Sequence, residues 1–520
     1  MAPSTRAKSR RTTPSTSFCS PLLELPDSII IHIFSRVPAA GLCSISETCR
    51  LLHNEHVPAA LPLRAALLGQ RLCMRPDEPP LAALRFAELR AARIKSTISA
   101  DTCHTMCVSD GGAVWAWGGH EQGPDNQQGE EDEEDDSDPP CWLSHLGLGM
   151  EVGPCVTRPA RISSLPHSLR VLEVAAGYEH SLLRCDSGHV WSCGVGEHGR
   201  LGHGSLMSYS SPKRIEGLEH VSLIAAGGFQ SLALTDEGIA YSWGWGESGS
   251  TGHGDRSHRH TPTVIEAFRG PPEVRIVQAS AGSGHSLFVS EEGGLYACGD
   301  FRYGKLGLGQ RTEDVLTPTR VTQLPKNSKV RQASAWHAHS LCVTAKGELY
   351  SFGCGERGRL GHGDERARWR PNLVKFFSRK RPVRFAAAGE LHSCVQTLDG
   401  KIYAFGDASL GQTGSDPEDG WLLKPSLVDG LAQVPVNELA VGDHHTLARV
   451  TDPLTGEGAI LAFGKNIEGQ LGLGGSANTP GCIMFTSAPS RVRWPGEPDA
   501  IAEATDPGSA ENWLMAHVGV

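Results

Sequence analysis

The chain has 520 residues, enough for two or more domains, and a formal net charge of −10 at pH 7. A chain with this charge is poorly suited to neutralising nucleic-acid phosphates, so we expect no nucleic-acid partner. It lacks an apolar run of about 18 residues and an apolar core near its start, so we predict neither a membrane span nor a signal peptide. Its 15 cysteines form no CxxC ladder, which favours free buried thiols and a cytoplasmic or nuclear location, or both.

Residues 1–20 are polar, basic and rich in Ser, Thr and Pro. Such a composition cannot bury a core, so we expect a disordered tail. Four cations in it are candidates for a nuclear-import signal, although a solvated tail is the favoured interpretation: Arg6, Lys8, Arg10 and Arg11.

Residues 21–57 carry two apolar stripes at helical spacing. The first stripe follows Leu25-Pro26-Asp27, a helix-start signal, and consists of Ile29, Ile30, Ile33, Phe34 and Val37. Pro38 and Gly41 end it, and the second stripe consists of Leu42, Ile45, Cys49 and Leu52. The pattern predicts two or three short helices with a core too small to be stable alone, so part of this apolar surface needs a partner.

This segment resembles the F-box family. The resemblance rests on the Leu-Pro pair, the first stripe, the Val-Pro that ends it and the following leucine: Leu25, Pro26, Ile29, Ile30, Ile33, Phe34, Val37, Pro38 and Leu42. Ser28 replaces an acid that is common in the family, and Leu51-Leu52 stands where a Trp is usual. The resemblance implies that these nine residues dock on the Skp adaptor of cullin–RING ubiquitin ligases. The alternative is a plain helical hairpin packed on the next domain.

Residues 58–95 are rich in Ala, Leu and Arg. Leu81, Leu84 and Ala91 follow Pro79-Pro80 at helical spacing, which predicts a helix. We interpret the segment as a helical linker between the F-box and the next domain.

Residues 96–520 are built from one repeated pattern, best seen in the stretch from Val174 to Gly204. A small-residue run is followed by His-Ser-Leu, a Gly turn, an aromatic residue, a Gly and a final Gly-x-Leu-Gly-x-Gly. Copies from 180 onward are spaced by 50 to 55 residues, while the first interval is 76 residues because of an insertion. The position of the histidine is occupied in the seven copies by His104, His180, Gln230, His285, His339, His392 and His445.

Each copy contains short apolar runs between Gly- and Asp-containing turns, such as His180–Cys185 and His189–Cys193. These lengths indicate strands. Seven copies fit seven four-stranded blades around an axis, a β-propeller, which hides sheet edges better than an open stack does. The pattern resembles the regulator-of-chromosome-condensation repeat, which implies the same seven-bladed fold. The expected architecture is therefore mainly β, preceded by a small all-α F-box and a helical linker.

Two segments depart from the repeat. The first copy contains an acidic loop, residues 121–140, whose run EEDEEDDSD cannot pack because its charges repel. We favour a solvated insertion over a binding arm for a basic partner. Near the C-terminus, residues 508–515 align with 177–184 as a degraded half-copy, so we expect the C-terminal strand to meet the N-terminal blade and close the ring.

The histidines do not indicate a metal site, because one per blade keeps them apart whereas zinc needs ligands that converge on one centre. His203, His253 and His362 occupy a slot that holds Leu in other copies, which marks a turn position. The His-Ser pairs recur without a matched carboxylate, and we identify no catalytic constellation, metal or cofactor.

We therefore expect a non-catalytic substrate receptor of a Skp–cullin–F-box ubiquitin ligase, acting by proximity as a monomer within the complex. The propeller would bind an unidentified protein for ubiquitination and degradation. Candidate contacts are positions where the copies differ: Gln230, Trp245, Trp336, Arg366, Arg368, Trp369 and Arg370. The alternatives are an exchange factor for a Ran-like GTPase, which the repeat family includes, and a protein-binding scaffold without ligase function.

Overall fold

The chain separates into two compact units, residues 1–92 and 93–520. The computed structural model describes residues 36, 61, 80–91, 96–119, 145–149, 155–377, 380–451, 458–474 and 483–495. The nine predicted F-box contacts, the acidic loop and the C-terminal half-copy lie outside these residues. Within the described part of the chain, no helix is long and apolar enough to cross a bilayer.

Helix α1 covers Pro80–Ala91 and confirms the helix predicted after the paired prolines. Proline suits the first helical position because the amide there has no partner within the helix. Arg90 lies in the last turn, where a cation favours the helix dipole. Leu84 and Phe86 are both buried, and the Arg90 guanidinium lies 5.3 Å from the Phe86 ring centroid.

The second unit is a seven-bladed β-propeller, as predicted, with four consecutive antiparallel strands in each blade. Blade 1 contains β1 (Ile98–Ala100), β2 (His104–Val108), β3 (Val114–Gly118) and β4 (Val156–Arg161). Blade 2 contains β5 (Val171–Gly177), β6 (His180–Cys185), β7 (Val190–Gly194) and β8 (Tyr209–Arg214). Blade 3 contains β9 (Val221–Ala226), β10 (Gln230–Thr235), β11 (Ala240–Gly244) and β12 (Arg259–Val264). Blade 4 contains β13 (Ile276–Ala281), β14 (His285–Ser290), β15 (Leu295–Gly299) and β16 (Val315–Arg320).

The remaining blades follow the same order. Blade 5 contains β17 (Val330–Ala335), β18 (His339–Thr344), β19 (Leu349–Gly353) and β20 (Arg368–Leu373). Blade 6 contains β21 (Val383–Ala388), β22 (His392–Thr397), β23 (Ile402–Asp407) and β24 (Trp421–Leu427). Blade 7 contains β25 (Val436–Val441), β26 (His445–Thr451), β27 (Gly458–Lys465) and β28 (Phe485–Arg491).

The fourth strand of every blade is the outer edge of its sheet, and each carries a proline: Pro159, Pro212, Pro262, Pro318, Pro371, Pro425 and Pro489. Proline has no amide hydrogen to offer to a further strand, so it is tolerated at an edge and discourages pairing with another chain. The outer edges of all seven sheets are therefore protected by the sequence itself.

The Gly that follows the repeated aromatic residue ends the third strand in a conformation that needs glycine. In blade 2, Gly194 has φ 118°, and a Cβ built there would lie 2.2 Å from the Glu179 carbonyl oxygen. The second strand begins directly after Glu179, so the two chains cross too closely for any side chain. The aromatic–Gly spacing of the repeat is thus a packing requirement.

A hydrogen-bond relay joins each blade to the next. In each blade, a Ser or Thr directly follows the histidine position. The Nε2 atom of each relay histidine lies 2.8–3.0 Å from the hydroxyl of that Ser or Thr in the next blade. The hydroxyl in turn donates to a backbone carbonyl at 2.7–2.9 Å. The hydroxyl partners around the ring are Ser181, Ser231, Ser286, Ser340, Ser393, Thr446 and Thr105. His445 of blade 7 bonds Thr105 of blade 1, so the relay forms a closed circle.

The relay assigns the proton on each imidazole and corrects the expectation for Gln230. A hydroxyl has one proton, which it gives to the carbonyl, so the ring Nε2 is the donor to the hydroxyl oxygen. His180 is a special case, because its Nδ1 also lies 3.1 Å from the Tyr178 carbonyl oxygen and competes for the ring proton. The Gln230 amide also donates, from its Nε2 to Ser286 Oγ at 3.3 Å and to the His285 carbonyl at 3.0 Å. Gln230 is fully buried, so it replaces a relay histidine and offers no surface to a substrate.

Blade 7 meets blade 1 side by side. Glu438 of β25 accepts hydrogen bonds from the amides of Thr97 and Ile98 at 2.7 and 3.2 Å. Arg449 of β26 donates to the Val108 carbonyl at 2.9 Å. Among the described residues every blade is one continuous stretch of chain, so these lateral contacts hold the first and last blades together.

We predict that a glutamine can replace a relay histidine while an alanine cannot. His392→Gln keeps an N–H donor to Thr446, so we expect a loss of at most about 1 kcal/mol in the free energy of unfolding. His392→Ala removes the donor and leaves a cavity, with an expected loss of about 2–4 kcal/mol. Urea unfolding at pH 7 measures both, and equal losses in the two variants would contradict the relay.

The relay also predicts how the stability of the native chain and of the His392→Gln variant depends on pH. Burial lowers the pKa of His392 to about 3, whereas the unfolded chain has the ordinary value of 6.5. Because the folded pKa is depressed, the stabilisation is complete above pH 6.5 and is lost as the pH falls towards 3. His392→Gln, which does not titrate, should therefore lose less stability than the native chain between pH 7 and pH 4.

Candidate functional site

One face of the propeller carries the turns between first and second strands and the loops after third strands; we call it the loop face. At its centre, side chains from non-adjacent blades meet, which is possible only at the ring axis. The Trp336 indole N–H of blade 5 donates to Asp443 of blade 7. The Tyr178 ring of blade 2 lies edge-on to Trp336 with centroids 6.0 Å apart. Thr102 Oγ1 of blade 1 donates to Asp443 Oδ2 at 2.8 Å.

We call this group of side chains the axial cluster; it consists of Asp101, Thr102, Tyr178, Trp336 and Asp443. Its ionisable side chains are predominantly acidic. Burial and the nearby Asp101 carboxylate together raise the pKa of Asp443 to about 6, against the opposing effect of the bonds from Trp336 and Thr102. Beside the cluster, Glu390 lies 3.3 Å from His444 Nε2 and 3.9 Å from His337 Nδ1. Trp336 is only 7 % exposed, so it fills the axis and is not a free contact residue.

Trp245 belongs to a half-buried aromatic patch on the loop face of blades 2 and 3. Its ring lies 6.2 Å from Phe229, which lies 5.7 Å from Tyr178 and 6.1 Å from His198, all edge-on. The buried Arg200 guanidinium sits 4.9 Å from the Phe229 centroid. Partly exposed aromatic rings held by such contacts are typical anchor sites for a protein partner.

The arginine-rich candidates lie elsewhere, on outer strand β20 of blade 5 and just before it. Arg366 and Arg370 are exposed, Trp369 is half-buried, and Arg368 pairs with Asp364 at 2.8 Å. Strand β20 borders two cavities. One, of about 660 Å³, is lined among others by Arg368, Lys375 and Lys424. The other, of about 350 Å³, is lined among others by Arg368, Trp369 and Arg370.

Three potential metal-ligating groups lie together in blade 1 and its insertion. The ligand atoms of Cys103, His104 and His145 are within 4.8 Å of one another and buried. The relay uses two of these residues, because His104 Nε2 bonds Ser181 and the His145 carbonyl accepts from Ser181. Burial raises the pKa of the Cys103 thiol well above its usual value, which opposes the thiolate that a metal needs. We therefore assign these groups to the scaffold.

The structure divides the predicted contacts into three places. Gln230 is in the relay, Trp245 and Trp336 belong to one chain of aromatic rings, and the arginine-rich segment lines the rim cavities. Sequence reasoning missed Phe229, Tyr178, Lys375 and Lys424. The first two could have been found as the variable residues just before the repeated histidine, since that turn reaches the loop face in every blade.

We predict that Trp336→Phe destabilises the propeller in a pH-dependent way. The variant keeps an aromatic ring but removes the donor to Asp443. A raised folded pKa means that stabilisation by this group is complete below the unfolded value of 3.8 and is lost as the pH rises through about 6. Losing the donor enlarges that loss, so we expect a destabilisation of about 1.5–3 kcal/mol at pH 8 and less at pH 5.

Urea unfolding at the two pH values measures this effect, and Trp243→Phe is the control. The Trp243 indole donates to the uncharged Arg200 carbonyl at 2.9 Å, so its removal should cost the same at both pH values. If Trp336→Phe lowers the free energy of unfolding by the same amount at both pH values, the indole does not stabilise the ionised Asp443 carboxylate.

Comparisons with known proteins agree with this architecture. The F-box domain model matches residues 22–54. The regulator of chromosome condensation (RCC1) repeat model matches residues 187–234, 237–289, 292–343 and 346–396. A second model of the same repeat matches 171–200 and 276–305.

Among solved structures, human WBSCR16 is similar over 68 % of this chain and 92 % of its own, at 25 % identity and a TM-score of 0.57. Prp20p from Saccharomyces cerevisiae, at 22 % identity, covers 75 % of this chain and 87 % of its own with a TM-score of 0.59, and supports the fold alone.

Two curated relatives extend the match. The ultraviolet-B receptor UVR8 of Arabidopsis thaliana is 32 % identical over 422 residues, which are 80 % of this chain and 87 % of the receptor. The probable E3 ubiquitin-protein ligase HERC4 of Homo sapiens is 36 % identical over 342 residues, 65 % of this chain but only 31 % of HERC4. The chain therefore belongs to the family of RCC1-repeat proteins, and it carries an F-box domain ahead of its repeats.

Proposed function

We propose that this protein is the substrate-recognition subunit of a Skp–cullin–F-box ubiquitin ligase. The observation that carries the proposal is the presence, in one chain, of an F-box domain at 22–54 and a seven-bladed propeller. An F-box offers an apolar docking surface to an adaptor, and a closed propeller offers a rigid platform to a target. The chain's own contribution is to hold the target near the transfer subunits, in the cytoplasm, the nucleus or both.

The propeller's chemistry supports a binding role. Six of its histidines form the relay. Burial lowers the pKa of four of them to about 3: His104, His180, His392 and His445. Imidazoles with such a pKa are poor proton acceptors at neutral pH, because general bases work best with a pKa near the working pH. Burial also raises the pKa of the Cys193, Cys342 and Cys394 thiols to about 12, so they are protonated and poor nucleophiles.

We predict that the Leu25→Ala/Pro26→Ala variant loses the Skp adaptor. Truncating apolar anchors of a docking surface costs about 1–4 kcal/mol each, which corresponds to at least a tenfold weaker complex for the pair. A pull-down of purified adaptor by the native chain and the variant measures it. Leu206→Ala is the matched control, because Leu206 is an exposed leucine of the propeller outside the F-box.

Equal adaptor capture by the native chain and the double variant would overturn the ligase proposal. The same proteins can then be assayed for nucleotide release from a Ran-type GTPase, the activity of the alternative function. Acceleration of release without adaptor binding would favour the exchange factor.

A further inference from the structure

The rim of blades 5 and 6 carries a concentration of positive charge in a chain that is acidic overall. Between residues 366 and 389 the sequence has eight arginines and lysines and no aspartate or glutamate, whereas the whole chain has a net charge of −10. Strand β20, the outer strand of blade 5, lies at the start of this segment. Three of these cations, Arg366, Arg368 and Arg370, therefore lie on or just before the outer edge of blade 5.

The larger cavity at this rim gathers cations from two blades. Arg368 and Lys375 come from blade 5 and the segment after it, and Lys424 comes from β24 of blade 6. Lys375 and Lys424 are exposed, and neither has an ion pair with any residue that the structure describes. The described residues that line the two cavities include no carboxylate, but Arg368 is paired with Asp364 at 2.8 Å. The cavity of about 660 Å³ is large enough for a few side chains of a bound segment.

Comparison of the seven blades shows that this charge is not part of the repeat. The residue just before the edge-strand proline is Ser211, Thr261, Thr317 and Ala488 in blades 2, 3, 4 and 7. In blade 1 it is Arg158, which donates to the Trp494 carbonyl at 3.3 Å. In the neighbouring blades 5 and 6 it is Arg370 and Lys424. Phe376, half-buried beneath the Arg381 guanidinium at 4.6 Å from its ring centroid, adds an apolar wall to the same cavity.

From this geometry we propose that the rim groove, defined by Arg368, Arg370, Lys375, Phe376 and Lys424, binds an acidic segment of a target protein that carries phosphoserine or phosphothreonine. Phosphate brings close to two negative charges and three acceptor oxygens, which match the fork of Arg370 and the point charges of Lys375 and Lys424. The apolar wall accommodates a neighbouring side chain of the segment. The inference rests on the proposed receptor function and names the class of target for it.

Fluorescence anisotropy with the full-length chain tests the groove directly. The probe is a labelled peptide with two phosphoserines in a run of aspartate and glutamate, compared with the same peptide carrying unmodified serines. We expect the phosphorylated peptide to bind on the order of tenfold more tightly. We also expect Lys375→Glu/Lys424→Glu to weaken its binding by about tenfold or more.

The matched control is Lys346→Glu/Lys401→Glu, which changes the net charge equally at two exposed lysines of the same two blades and should leave the affinity unchanged. Equal binding of the two peptides, or equal loss in both double variants, would overturn the inference. The inference would also be overturned if single-stranded RNA of matched length bound more tightly than the phosphopeptide and this binding were lost in Lys375→Glu/Lys424→Glu. Adaptor binding is measured separately, so failure of the groove is distinguishable from failure of the F-box.

Discussion

The propeller depends on the closed circle of hydrogen bonds from one blade's histidine to the next blade's hydroxyl. Each bond contributes only about 1 kcal/mol net, but a buried donor or acceptor left without its partner costs more. Breaking one of these bonds therefore leaves buried polar groups without hydrogen-bond partners on both sides of a blade interface. The circle includes the contact from His445 to Thr105, so the interface between the last and first blades uses the same chemistry as the other six.

This constraint explains which features of the sequence are scaffold and which are free to vary. The relay histidine (Gln230 in blade 3), the glycine at the end of the third strand or one residue before it, and the proline of the outer strand meet the same packing demand in every blade. Two regions outside this scaffold vary between blades, the turns of the loop face and the outer strands. There the blades differ: Phe229 and Trp245 form an aromatic patch, and Arg370 and Lys424 border a basic groove.

Much of the fold could be predicted from the sequence because the repeat carries its own period. Seven copies predicted seven blades, and the run at His180–Cys185 predicted a strand with the bounds that β6 has. The surroundings of the individual residues that depart from the repeat pattern could not be predicted. Gln230 looked like a surface residue because it broke the pattern, yet its amide donates as an imidazole does. Trp336 contacts a blade two positions away, and Arg368 and Lys424 line one cavity that the repeat pattern does not reveal. The F-box contacts rest on the family match and lie outside the described residues.

The receptor account is tested most directly by proximity labelling in cells whose proteasome is blocked, with the native chain compared with Leu25→Ala/Pro26→Ala. The account predicts a set of proteins that both chains label equally, because the propeller is unchanged, but that are ubiquitinated and accumulate under the block only with the native chain. Labelled proteins whose ubiquitination and lifetime are the same with both chains would contradict it.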